Sequence, residues 1–127
     1  MSFNWEDYLS LANELSSNSS VGGNEEAKKR SAISRAYYAA FINARNKILP
    51  SIGNPPNWYR NGSHNWYIDG YLTKGWEGRQ VQRKLKSLKR RRKRADYDNS
   101  FRNISEELKA ALRESKKILE VLNALTI

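Results

Sequence analysis

Arg92 is the residue whose position first asks for a chemical explanation. Val81, Leu85, Leu88 and Ala95 fall at steps of four, three and seven, and Arg92 lies on the same helical face between the last two. A guanidinium on an apolar stripe is costly unless it is paired or lines a cleft. Asp96, four residues on, can pair with it, and the Tyr97 hydroxyl adds a donor, a set suited to holding a phosphate. The plainer reading of these three residues is a charge pair and a tyrosine that caps a bundle. Arg91 and Arg94 flank Arg92 in the same basic run and join it as candidate contacts to an anionic substrate.

Two other groups carry comparable chemistry. His64, in NGSHNW, is the single histidine of the chain. An imidazole with its ordinary pKa near neutrality suits general acid or base work in phosphodiester cleavage, although a lone histidine at a helix start is more often a surface or capping residue. Arg35 precedes Tyr37 and Tyr38 in SRAYYAAF. Read alone this is an ordinary amphipathic turn; turned inward, Arg35 and Tyr38 would line the same cleft as Arg92. The candidate catalytic residues are therefore Arg92, His64 and Tyr97. Arg35, Tyr38, Asp96, Arg91 and Arg94 are candidate substrate contacts.

The elements that must position these residues are helical. A first helix is expected over residues 4–16, with Trp5, Tyr8, Leu9, Ala12 and Leu15 at helical spacing and Asn4 as N-cap. The polar, Gly-rich SSNSSVGG that follows reads as a loop. A long second helix is expected over residues 24–49, capped by Asn24, stopped by Pro50, and burying Ile33, Ala36, Tyr37, Ala40, Phe41, Ala44 and Ile48. Residues 50–77 are broken by Pro and Gly yet rich in Trp and Tyr. A short helix is expected there over 63–72 with Ser63 as N-cap, and its aromatics read either as a lid over the bundle or as a platform for stacking bases.

The basic helix is expected within the stretch 78–98, with Gly78 just before it. Asp98, Asn99 and Ser100 are N-cap candidates for the last helix. Its Phe101, Ile104, Leu108, Ala111, Ser115, Ile118, Leu122 and Leu125 form a heptad seam, suited to antiparallel packing within the bundle or to a dimer interface. Nothing reads as strand. The expected fold is all-α: an antiparallel bundle of four main helices, with a short extra helix in the long connection before the basic helix.

Composition narrows the function. The chain has 127 residues, most simply one domain, with a formal net charge of +10 and a pI near 10.0. From Arg79 to Arg94 there are ten Lys or Arg and no acid, so this run accounts for the whole net charge. Such concentration points to a polyanion, nucleic acid ahead of an anionic lipid surface, because the apolar side of the helix lacks bulky aromatics. The plainer alternative is a solvated basic face. With no cysteine and one histidine, disulfides, thiolate metal sites, Cys nucleophiles and multi-histidine metal sites are not expected. No cofactor is implied. No apolar run approaches a membrane span of ~18 residues, and MSFNWEDYL lacks the features of a signal peptide, so a cytoplasmic protein is expected.

Three segments together resemble the HEPN family of small helical-bundle proteins: RSAISRAYYAAFINARNKI at residues 30–48, GSH at 62–64 and LKRRRKRADYD at 88–98. Their order and spacing fit, and they extend across most of the chain. The resemblance implies one HEPN-like domain over residues 1–127 that commonly forms a homodimer. Many relatives are metal-independent endoribonucleases or toxins of toxin–antitoxin and defence systems. Others bind nucleotides or pair with a small nucleotidyltransferase. Active members carry an Arg followed four to six residues later by a His. Arg92 matches that Arg, but KRADYDN follows it, with Tyr97 about where the His would fall. Two expectations follow: binding of RNA or a nucleotide through Arg92 and the basic helix, with metal-independent cleavage using His64 or Tyr97 as proton carrier, or a non-catalytic module that docks on a partner chain.

Overall fold

The computed structural model describes residues 3–17 and 24–127. Every regular element among them is helical: α1 (Asp7–Ser17), α2 (Glu25–Ile52), α3 (Ser63–Gly70), a 3-10 turn (Tyr71–Thr73), α4 (Gly75–Tyr97) and α5 (Ile104–Ala124). From residue 18 onward, the loop expected at SSNSSVGG lies outside the described residues. No helix among the described residues is long and apolar enough to cross a membrane.

The bundle is built around α2, which packs against α1, α3, α4 and α5. All seven residues of its expected stripe are buried, and so are Ala32, Ala39 and Ile42, so most of its circumference is covered. Alanine makes this possible by letting neighbours approach closely. At Ala36 the approach is close enough for the buried Ser115 hydroxyl of α5 to donate to the Ala36 carbonyl at 2.7 Å. Asn24 caps α2 as expected, its Oδ1 accepting from the backbone N–H of Glu26 and Ala27. In α5, Leu108, Ala111, Ser115, Ile118 and Leu122 are buried. The heptad seam is therefore spent on the chain's own core.

Several boundaries differ from expectation, each for a local reason. Pro50 does not stop α2, which continues to Ile52 and ends where the Gly53 N–H reaches the Leu49 carbonyl with Gly53 at φ 70°. Proline within a final turn removes one hydrogen bond only, and glycine tolerates the left-handed exit. α3 begins at Ser63 itself with Gly62 before it, not with Ser63 as cap, and gives way to the 3-10 turn after Gly70. α1 starts at Asp7 after a turn in which Asn4 Oδ1 accepts from the Glu6 N–H.

Gly78 lies inside α4, not ahead of it. A Cβ there would stand 2.5 Å from the Tyr71 carbonyl oxygen, so glycine is what lets α4 lie against the 3-10 turn. None of Asp98, Asn99 and Ser100 caps α5, which starts after Asn103 at φ 55°. Phe101 precedes that helix and is buried, with the guanidinium groups of Arg94 and Arg30 over its ring at 4.5 and 5.7 Å. Arg30 also donates to the Arg94 and Ala95 carbonyls, satisfying the C-terminal end of α4 from α2.

Candidate functional site

The apolar stripe of α4 is buried at Val81, Leu85, Leu88 and Ala95, and Arg92 is buried with it at 8% exposure. Its guanidinium meets aromatic faces rather than aliphatic side chains, with its carbon 5.2 Å from the ring centre of Tyr37 and 5.5 Å from that of Tyr38, both on α2. Nη1 donates to Asp96 Oδ2 at 3.4 Å, as the four-residue spacing allows. Its Nε is buried without a hydrogen-bond partner. The charge is thus compensated only in part.

His64 enters the cluster from the start of α3. Its ring stacks on Phe41 at 4.1 Å, and its Nδ1 lies 2.6 Å from the Tyr37 hydroxyl. Burial pushes the Tyr37 hydroxyl well above the usual tyrosine range, with Arg92 opposing it. Tyr37 therefore keeps its proton at neutral pH, and its hydroxyl and Nδ1 satisfy one another. The His64 pKa is lowered to about 4 by burial first, then by the charges of Lys89, Arg92, Arg45 and Lys93. At pH 7 the ring is neutral and its Nδ1 is engaged by Tyr37.

Beside this cluster Asn65, Lys86, Lys89, Arg90 and Lys93 line a groove of about 200 Å³ between α3 and α4. Lys89 Nζ donates to Asn65 Oδ1 at 3.0 Å. Its pKa is lowered by burial and by Lys93, Arg92 and Lys86, with Asp69 opposing. The groove is one in which cations destabilise one another, the condition under which an anion binds well.

The remaining sequence candidates are divided by the fold. Tyr38 and Asp96 stand with Arg92. Arg35 does not join them by contact: its guanidinium lies over the Tyr8 ring of α1 at 5.2 Å, and its Nε is buried without a partner. Arg91 is taken up by α5, donating to Glu107 at 2.6 Å and to Glu114 at 3.1 Å. Arg94 pairs with Asp98 and Glu107 and covers Phe101. Tyr97, the last residue of α4, stands 74% exposed, apart from the residues gathered around Arg92. Lys86, Lys89, Lys93 and Asn65 were not singled out from sequence. A signal was present, because Lys86, Lys89 and Lys93 follow steps of three and four on one helical face.

The aromatics of the connection also divide. Tyr67 and Tyr71 close the bundle, the Tyr71 hydroxyl donating to the Ala44 carbonyl at 2.6 Å and that of Tyr67 to Asn54 Oδ1 at 2.7 Å. Tyr59 and Trp66 instead line an open pocket of about 550 Å³ with Ile52, Asn61, Asp69, Gly70 and Thr73. Trp58 and Trp76 are exposed.

Fold and site together define a small all-helical bundle with a buried Arg–Tyr–His cluster beside a cationic groove. Compared with known protein families, characterised proteins and solved structures, the chain matches none.

Proposed function

We propose that this protein is a HEPN-like RNA-binding protein that holds the sugar–phosphate backbone in the groove between α3 and α4. The observation that carries the reading is the groove where Lys86, Lys89, Arg90 and Lys93 stand together and repel one another; burial first, and neighbouring cations next, lower the pKa of Lys89 and His64. A bound phosphodiester relieves that repulsion, and it offers acceptors to the lysines, to the Arg92 guanidinium and to a protonated His64. Four long helices running antiparallel, one HEPN-like domain over residues 1–127, a homodimer, a cytoplasmic location and a place in a toxin–antitoxin or defence pair belong to the same reading.

Binding is favoured over cleavage. The His expected after Arg92 is absent, Tyr97 stands in solvent, and the His64 pKa of about 4 makes its ring a weak base at neutral pH. Cleavage by this cluster requires the phosphate first to raise the His64 pKa. Arg92 would then stabilise the charge of the phosphorane-like transition state.

The test is retardation of a labelled single-stranded RNA in EDTA across a salt series. Wild type should bind with a steep salt dependence, and a Lys89→Gln, Lys93→Gln variant should lose roughly 1.4 from the slope of log K against log salt. Salt-insensitive binding, or none, would sink the reading. Shortened RNA in the same lanes would extend it to a metal-independent ribonuclease.

A second reading is favoured by a separate observation. Leu72 and Trp76, four residues apart, and Trp58 are large, apolar and exposed. These suit a non-catalytic module that docks on a partner chain such as a nucleotidyltransferase. A neighbouring reading frame encoding such a partner, with a stable complex on co-expression, would support it.

A further inference from the structure

The pocket lined by Tyr59 and Trp66 shares α3 with the cationic groove, taking Trp66, Asp69 and Gly70 from that helix. Its walls combine Tyr59, Trp66 and Ile52 with the polar Asn61, Asp69 and Thr73, the two rings standing 5.1 Å apart at 70°. Its volume of about 550 Å³ falls within the roughly 300–1,000 Å³ of small-molecule sites. The shape is held from below: a Cβ on Gly70 would meet Ile52 at 2.7 Å and Ile48 at 3.0 Å, so α3 rests on the end of α2. The Trp66 indole N–H donates to the Gly53 carbonyl at 2.9 Å, which orients the ring and leaves its faces as the means of contact.

The one charged group in the lining is the Asp69 carboxylate. Gln82 Nε2 and Lys86 Nζ both reach its Oδ1, at 3.2 and 3.7 Å, so neither contact occupies Oδ2. Lys86 also lines the groove that holds Lys89 and Lys93. The Asp69–Lys86 pair therefore joins an aromatic pocket to a cationic groove. A ligand spanning both has a planar ring at one end and phosphates at the other, which is the layout of a nucleotide within a strand.

The carboxylate decides which ring. It only accepts hydrogen bonds, and guanine alone among the RNA bases presents two adjacent donors, N1–H and the 2-amino group, on one edge. Adenine and cytosine place a ring-nitrogen acceptor beside their amino donor, and uracil flanks its single N–H with carbonyls. Each would set a lone pair against Asp69. We propose that the Tyr59–Trp66 pocket is a guanine-reading subsite for the same RNA strand whose phosphates occupy the groove. This rests on the RNA-binding reading above.

The test is fluorescence titration of the whole chain with uridine hexamers carrying one central guanine, inosine or adenine, and with the all-uridine hexamer. The guanine hexamer should bind roughly tenfold or more tighter than all-uridine, with inosine between them because it lacks the 2-amino group. Asp69→Asn should abolish the guanine preference, so that the guanine and all-uridine hexamers bind with equal affinity at each salt concentration. Tyr59→Ala should weaken every purine-containing hexamer. Equal, salt-sensitive affinity for all four would overturn the subsite and leave the RNA reading standing. Absence of binding to any hexamer would overturn both. Guanosine 5′-monophosphate binding as tightly as the guanine hexamer would mark a free-nucleotide site and overturn the placement on RNA.

Discussion

The Tyr37 hydroxyl and His64 Nδ1 stand 2.6 Å apart, joining the middle of α2 to the start of α3 across 27 residues of sequence. One hydrogen bond thus engages Nδ1 of the chain's single histidine. It also ties that ring to the tyrosine that faces Arg92.

The histidine should titrate far below its ordinary value. Proton NMR of the His64 ring should show a midpoint at about pH 4 instead of 6.5. Between those values the unfolded chain binds a proton that the folded chain does not, so stability rises with pH across that window. The contribution is complete above pH 6.5 and is lost as pH falls toward 4. Lys89→Gln should move the midpoint upward, and so should added RNA. A midpoint near 6.5 in the folded protein would contradict the burial and the charge crowding together.

Arg92 can be separated from the fold. Arg92→Met keeps an unbranched side chain as far as the Nε position, and removes the guanidinium over Tyr37 and Tyr38 together with a buried Nε that has no partner. Replacing a buried charge by an apolar chain of similar volume is often close to neutral, so urea unfolding should change by no more than about 1 kcal/mol. RNA affinity should fall roughly tenfold, the value of a charged hydrogen bond. Unfolding of this variant would make Arg92 structural.

Arg91 should behave in the opposite way. Its contacts to Glu107 and Glu114 bind α4 to α5, and all three side chains are at most a quarter exposed. Arg91→Ala should lower stability by about 1–2 kcal/mol, with an Arg91/Glu107 double-mutant cycle showing coupling. RNA affinity should stay within roughly twofold, since the charge is already neutralised on the α5 side.

Close packing at two small residues gives a further check. Gly78→Ala sets a methyl against the Tyr71 carbonyl, and Ser115→Val adds bulk where α5 meets Ala36. Each should cost about 1–3 kcal/mol in chemical denaturation through overpacking. Ser115→Ala, which only removes the hydroxyl, should cost about 1 kcal/mol. Wild-type stability of Gly78→Ala would mean that α4 does not lie against the 3-10 turn.

Periodicity alone determined that this chain is helical, which faces of α2, α4 and α5 are buried, and that Arg92 is buried with the apolar stripe. Those properties depend on residues three and four apart, which any helix brings to one side. The Arg92–Asp96 pair was legible for the same reason. Helix ends were less so, because Pro50, Gly78 and Phe101 answer to what packs beside them: the Gly53 exit, the 3-10 turn, and the Arg30–Arg94 clamp. Only the tertiary structure decided that the α5 seam closes inside the chain, that Arg91 and Arg94 belong to α5, and that Arg35 belongs to α1. It also decided that Tyr97 stands in solvent while Tyr37, Lys89 and Asn65 gather with His64. Local spacing cannot carry that information, since a basic helix offers charge on every side and only its neighbours neutralise some cations and leave others crowded.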